Sequence, residues 1–297
     1  MLGTIGLFLQ ATDNDYQLRL KEVGLREAKR QGFDLVIESA QNDPQRQVAQ
    51  IEKAIQSAST SNTVALLVSR VRDEPLVPLV RVAAEADLAF ALLNEGTFID
   101  EARNQTPNRP IFMVTAEQIE IGRIHGQQIR SLVDSPASVL CVTGPLSTLS
   151  AQRRLQGLKE VLPKDYTLIE LQADWTSEGA RMAVERWAAS LGRNPELPRI
   201  IVAHNDEMAL GVRQALRDVT SQQNLPQVKA YIIGCDGSQT FGQRLVRESR
   251  IKATVIMPPA SAVAIEWIAR FRTRGELPPV RVVQPVTPFP ALSSLRR

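Results

Sequence analysis

Histidine and cysteine are scarce, with two of each in 297 residues. Since His125 and His204 are the only histidines, a His-rich zinc site cannot be assembled, and no cysteine pair has the spacing of a metal knuckle. Cys141 and Cys235 each sit in a short apolar run, Val-Leu-Cys-Val and Ile-Ile-Gly-Cys. A thiol in such a setting acts as a small hydrophobe, so core packing is expected in place of a disulfide. No apolar stretch approaches the roughly 20 residues of a membrane-crossing helix. Also missing are the glycine-rich turns that let backbone approach a phosphate or dinucleotide. There is no Gly-x-Ser-x-Gly elbow, and no Ser, Cys or Lys stands beside an obvious base. These gaps disfavour metal, cofactor and nucleophilic catalysis. His204 with Asp206 and Glu207 has acid-base capacity, but it falls at a strand-to-helix junction, where Asn205 or Asp206 capping the helix is the simpler reading.

What is present is ordinary globular material: 43% hydrophobic and 23% charged residues, enough for about two domains at this length. Lys+Arg 35 against Asp+Glu 32 gives a net charge of +3, spread along the chain, and nothing in it demands nucleic acid. Short β-branched runs at 4–9, 35–38, 64–68, 89–93 and 111–114 read as strands, and a second set follows at 139–142, 167–171, 199–203, 230–234 and 252–256. Amphipathic stretches lie between them. In 44–59, Val48, Ile51, Ile55 and Ala58 form one apolar stripe, with Asp43 as the cap and Pro44 at the first helical position. In 176–191, Ala180, Val184, Trp187 and Leu191 do the same, which assigns Trp187 to the core. Alternation of this kind builds parallel sheets covered by helices on both faces, here two in tandem. A further helix around Ala264, Ile268 and Phe271 and a strand at 280–283 exceed what one five-stranded sheet needs, and are expected to cross back to the first.

Ligands of doubly wound sheets bind beyond the carboxyl ends of the strands. The residues there are polar: Asp13-Asn14-Asp15-Tyr16, Ser69-Arg70, Asn94-Glu95, Ser150 to Arg154, Trp175, His204-Asn205-Asp206-Glu207 and Asp236-Gly237. Amides and carboxylates form paired hydrogen bonds with hydroxyls, and an aromatic face covers the C–H side of a sugar ring.

At these positions the chain resembles the sugar-binding proteins of bacterial ABC importers, ribose-binding proteins most of all, and the cores of lactose-repressor-type regulators. The resemblance is carried by Gln41-Asn42-Asp43-Pro44, Ser150-Ala151-Gln152-Arg153-Arg154-Leu155-Gln156-Gly157, Asn205-Asp206-Glu207-Met208-Ala209-Leu210-Gly211, Gly234-Cys235-Asp236-Gly237 and Ala253-Thr254-Val255, in the family's order and spacing. It implies an α/β fold of two doubly wound lobes, the type 1 periplasmic binding protein, joined by about three crossovers. The lobes are expected at 1–116 plus 258–286 and at 117–257 plus 287–297. By the same resemblance, ligand contacts fall on Asn14, Tyr16, Gln17, Ser69, Asn94 and Glu95 in the first lobe, and on Gln152, Trp175, Asn205, Asp236 and Met257 in the second. Four depart from the ribose-type pattern: Gln17 replaces an aromatic, Glu95 and Gln152 replace arginines, and Met257 replaces a glutamine. The expected ligand is therefore a neutral or amino-bearing polyol rather than a simple pentose or a charged sugar. A turn of the local helix by one residue would instead bring in Arg153 or Arg154.

The expected function is binding without catalysis, metal or cofactor: closure of a hinged cleft around a sugar or polyol, by a monomer serving an ABC permease. A cytoplasmic sugar sensor or regulator core is the alternative. Since the first strand begins by Thr4, it would lack a DNA-binding domain. The opening residues carry no basic stretch or cleavage site, so a cytoplasmic location is expected if Met1 is the native start, and a periplasmic one if a leader preceded it.

Overall fold

The structure, a computed structural model, describes residues 2–133, 137–192, 197–222 and 230–295. The chain opens with β1 (Thr4–Leu9), α1 (Asp15–Gln31), β2 (Asp34–Ser39), α2 (Pro44–Gln56), α3 (Ala58–Ser61), β3 (Thr63–Val68), α4 (Val77–Glu85), β4 (Ala89–Leu93), α5 (Ile99–Gln105) and β5 (Ile111–Ala116). It continues through α6 (Gln118–Leu132), β6 (Ser138–Thr143), α7 (Leu149–Val161), β7 (Thr167–Gln172), α8 (Ser177–Ser190), β8 (Ile200–Ala203), α9 (Asp206–Gln222), β9 (Tyr231–Ile233), α10 (Gly242–Arg247) and β10 (Thr254–Ile256). Last come α11 (Ala260–Arg274), β11 (Arg281–Gln284), β12 (Thr287–Phe289) and a 3-10 turn at Leu292–Ser294. Two units result, Met1–Ala116 with Pro259–Gln284, and Glu117–Pro258 with Pro285–Arg297. The chain passes between them after Ala116, after Pro258 and after Gln284.

The first unit holds a six-stranded sheet in the order β11-β5-β4-β3-β1-β2, parallel throughout. Side chains alternate across a strand, so Ile5, Leu7 and Leu9 face α1 and α11, where Leu20, Ala264, Ile265 and Ile268 meet them. Phe8, Leu66, Val68, Phe90 and Leu92 face the other way, against Ile51 of α2 and Leu79, Val80 and Ala83 of α4. Both faces are covered, which is why these strands read as unbroken apolar runs. The final helix and strand do cross back, with β11 lying parallel to β5 and Arg281 opposite Met113.

The second unit has a four-stranded parallel sheet, β7-β6-β8-β9. Leu140, Val142, Ile201 and Ala203 pack toward α8 and α9, and Val139, Cys141, Ile200 and Val202 toward α6 and α7. Half-buried Trp187 joins the former cluster. Both cysteines are buried and free.

Two expectations need correction. The run at 252–256 is not a fifth strand of this sheet: β10 pairs antiparallel with β12 and meets the β9 segment only at single bridges, Ile233 to Ala253 and Asp236 to Ile256. The chain after β9 curls through Asp236 at φ +94° and Gly237 at φ +55°, so the ladder cannot run on. The helix read across 44–59 breaks at Ser57, whose hydroxyl donates to the Lys53 carbonyl at 2.9 Å and competes with the helical pattern. Its cap is as expected, with Asp43 accepting from the N–H groups of Gln45 and Arg46.

Candidate ligand site

In the first unit, polar side chains collect after β1, β3 and β4. Asn14 caps α1, its Oδ1 accepting from the Gln17 N–H at 3.0 Å. That start to the helix leaves Tyr16 half-buried against the core and turns Gln17 inward. Buried Gln17 donates from Nε2 to the Ser69 hydroxyl at 2.9 Å, while its Oε1 is buried without a hydrogen-bond partner. Asn94 and Glu95 follow β4 directly, with Asn94 Oδ1 accepting from the Glu95 N–H at 3.1 Å and Glu95 3% exposed. Asn14, Gln17 and Ser69 are thus joined by hydrogen bonds, and Asn94 and Glu95 form a second pair at the same end of the sheet. Gln47, which strand-end position alone does not single out, completes this end: its Nε2 donates to the Ser69 carbonyl at 2.9 Å and its Oε1 accepts from the Val71 N–H at 2.8 Å. It sits four residues before Ile51 on the buried stripe of α2, and a glutamine there was the available signal.

In the second unit the same end of the sheet carries Trp175, Asn205, Asp236 and Met257. Asn205 binds the ring's own backbone, Nδ2 donating to the Trp175 carbonyl at 2.9 Å, and its Oδ1 accepts from the Met208 N–H at 2.7 Å to cap α9. One hydrogen on Nδ2 remains beyond that bond. Asp236 is 5% exposed, and its carbonyl accepts from the Met257 N–H at 3.1 Å. The adjacent Asp206 belongs to the framework: Oδ1 accepts from the Thr254 hydroxyl at 2.7 Å and Oδ2 from the Gly237 N–H at 2.8 Å. The Trp175 indole lies over Gly144, where a Cβ would come within 2.4 Å of the ring. It stacks on His204 at 6.4 Å between centroids.

Gln152 does not join this group. It is exposed on the first turn of α7 and donates to the Leu146 carbonyl at 2.8 Å. Two residues on, Arg154 is 4% exposed and lies against the ring, its guanidinium 5.7 Å from the Trp175 centroid. Its Nε donates to Gln118 Oε1 at 2.7 Å, one Nη to the His204 carbonyl, and the other to Met257 Sδ at 3.5 Å. The geometry thus favours the alternative in which the turn of the helix brings in Arg154 in place of Gln152. The Arg154 hydrogens are largely spent on neighbours, so it braces Trp175 and Met257 more than it offers a free charge.

The capping reading of the His204 junction holds, with Asn205 as the cap of α9, and the acid-base alternative at His204 falls. Burial, then the Arg154 charge, hold its pKa well below the usual histidine value. The Gly144 N–H donates to Nδ1 at 3.3 Å, which leaves the proton on Nε2, directed at Cys141 Sγ 3.8 Å away. This imidazole is neutral and structural.

Asn94 and Asp236 share one further property. Both hold positive φ, +148° and +94°, immediately beyond β4 and close beyond β9. Such backbone costs about 1–3 kcal/mol per residue and concentrates where a side chain must be aimed at a ligand.

The comparisons with known proteins bear on the family and the fold. The family model described as periplasmic binding protein domain matches residues 5–270. The ribose import binding protein of Haemophilus influenzae is 25% identical over 258 residues, covering 86% of this chain and 80% of that protein. The solute-binding protein of an ABC transporter from Actinobacillus succinogenes, solved with bound D-allose, superposes with a TM-score of 0.81 at 18% identity over 96% of each chain. One from Bacillus halodurans with bound myo-inositol gives 0.78 at 21% identity over 97% of this chain and 94% of that one. The chain belongs to the periplasmic binding protein domain family, in its type 1 fold, and is a binding protein rather than an enzyme.

Proposed function

We propose that the chain binds a neutral or amino-bearing sugar or polyol between its two units, and that the units close about it. The observation that carries this reading is that each unit, taken by itself, places a polar residue of positive φ beyond the carboxyl end of its own sheet, Asn94 in the first and Asp236 in the second. Around them, Asn14, Tyr16 and Glu95 supply one half of the recognition, and Trp175, Asn205 and Met257 the other. Tyr16 and Trp175 cover the C–H faces of the ring, and the amides and carboxylates hold its hydroxyls. Relatives and structural neighbours named for ribose, D-allose and myo-inositol support a polyhydroxylated ligand. Closure follows from differential affinity, since only a closed state gains contacts from both units, and hinge closure around a ligand is the general motion of periplasmic binding proteins as a class. The relative's name also supports a role in import, and the neighbours named as ABC transporter solute-binding proteins support an ABC permease as the partner; action as a monomer is part of the same proposal.

A thermal-shift screen of sugars, polyols and amino sugars tests the reading. A true ligand at 100 times its Kd adds about 2.7 kcal/mol of stability. The shift is expected to vanish in Asp236→Ala and Trp175→Ala, and equal binding by both variants and the parent would remove this site. Loss of uptake of that ligand on deleting the gene checks the importer role.

A further inference from the structure

At the amino end of β9, away from Asn205 and Asp236 of the same unit, the second unit holds a cavity of about 470 Å3. Its walls include Tyr231, Val246 and Leu295, with three cations, Arg213, Arg250 and Lys252, and no carboxylate among the described residues. Among the described residues none of the three makes an ion pair, and neighbouring Glu248 pairs with Arg244 at 3.8 Å instead. Arg213 of α9 donates from Nη1 to the Arg250 carbonyl at 2.6 Å, but its Nε is buried with no acceptor. Burial, then repulsion from Arg217 and Arg250, lower its pKa from the ordinary arginine value. The Lys252 ammonium lies 5.4 Å from the centre of the Tyr231 ring. Converging cations without a counter-charge among the described residues, around an unsatisfied guanidinium nitrogen, are costly to the fold, and an anion in the cavity would offset that cost.

We propose that this cavity binds a phosphate group carried by a small molecule, at a site separate from the sugar site. Its volume falls in the range of small-molecule pockets, roughly 300–1,000 Å3. Phosphate oxygens accept from Arg250, Lys252 and the unused hydrogens of Arg213, and the Tyr231, Val246 and Leu295 walls take the apolar body of the molecule.

Titration calorimetry of the full chain with sodium pyrophosphate tests this, alongside flotation with vesicles of equal phosphatidylcholine and phosphatidylglycerol. The expected result is saturable pyrophosphate binding that weakens with salt, with no flotation. In Arg250→Glu/Lys252→Glu the affinity should fall at least about tenfold while affinity for the sugar ligand is unchanged. The milder Arg250→Gln/Lys252→Gln should fall in the same direction, which guards against misfolding of the first variant. Flotation that is lost in the variants, without pyrophosphate binding, would assign the phosphate to a lipid headgroup and overturn the small-molecule source. Absence of both, or variants that bind pyrophosphate like the parent, would overturn the site itself.

Discussion

Gly144 sets where the Trp175 ring can lie. A methyl group there would meet the indole at 2.4 Å, so Gly144→Ala must push the ring off the strand end. The expected outcome is a loss of ligand affinity of at least about tenfold, with altered indole fluorescence, measured by calorimetry on the folded variant. His125 makes a second residue-scale prediction. It is 1% exposed and its Nε2 donates to the Gly234 carbonyl at 3.0 Å. Burial lowers its pKa from 6.5 to about 4, with the Arg154 charge acting in the same direction. Below pH 6.5 the unfolded chain therefore binds a proton that the folded chain refuses. Stability contributed by the neutral ring is present above pH 6.5 and is lost as pH falls toward 4, by an amount on the order of 3 kcal/mol. Urea titrations between those pH values should show this slope, and His125→Gln should flatten it. The thiols of Cys141 and Cys235 are pushed by burial up to about 12, which makes both of them packing groups without thiolate character.

At the scale of elements, α6 and α7 meet backbone to backbone. A Cβ at Gly122 would lie 2.0 Å from the Arg154 carbonyl oxygen, and one at Gly157 would lie 1.9 Å from that of Ile119. This close approach fixes the height of α7 on the sheet and with it the inward aim of Arg154. Gly157→Ala should cost about 3 kcal/mol, read as a lower urea midpoint, because rigid backbone on both sides cannot give way. Asp43→Ala, which removes the two cap bonds of α2, should cost about 1 kcal/mol by the same measurement. The cap of α2 was legible in the sequence because it involves only neighbours in the chain. The exposure of Gln152 and burial of Arg154 were not, because which face of α7 turns inward is decided by glycines on two different helices.

Across the whole molecule, each unit has its own pair of cores, and the tryptophans divide between them: Trp267 packs in the first and Trp175 and Trp187 in the second. Unfolding should therefore depart from two-state behaviour when different tryptophans are followed. In a Gly157→Ala chain, the midpoint reported by Trp187 should drop while that reported by Trp267, with the other two replaced by phenylalanine, stays near the parent value. The sequence by itself determined the strand and helix alternation, the parallel sheets, the return of the last helix and strand to the first sheet, and most residues at the carboxyl ends of the strands. Those properties follow from local periodicity and from the rule that parallel pairing needs a crossover. Only the tertiary structure decided that β10 leaves the second sheet, that His204 is a neutral packing group, that Arg154 stands beside the ring in place of Gln152, and that Arg213, Arg250 and Lys252 converge. Each of these depends on groups far apart in the chain, whose burial and mutual charge exist only once the backbone has folded.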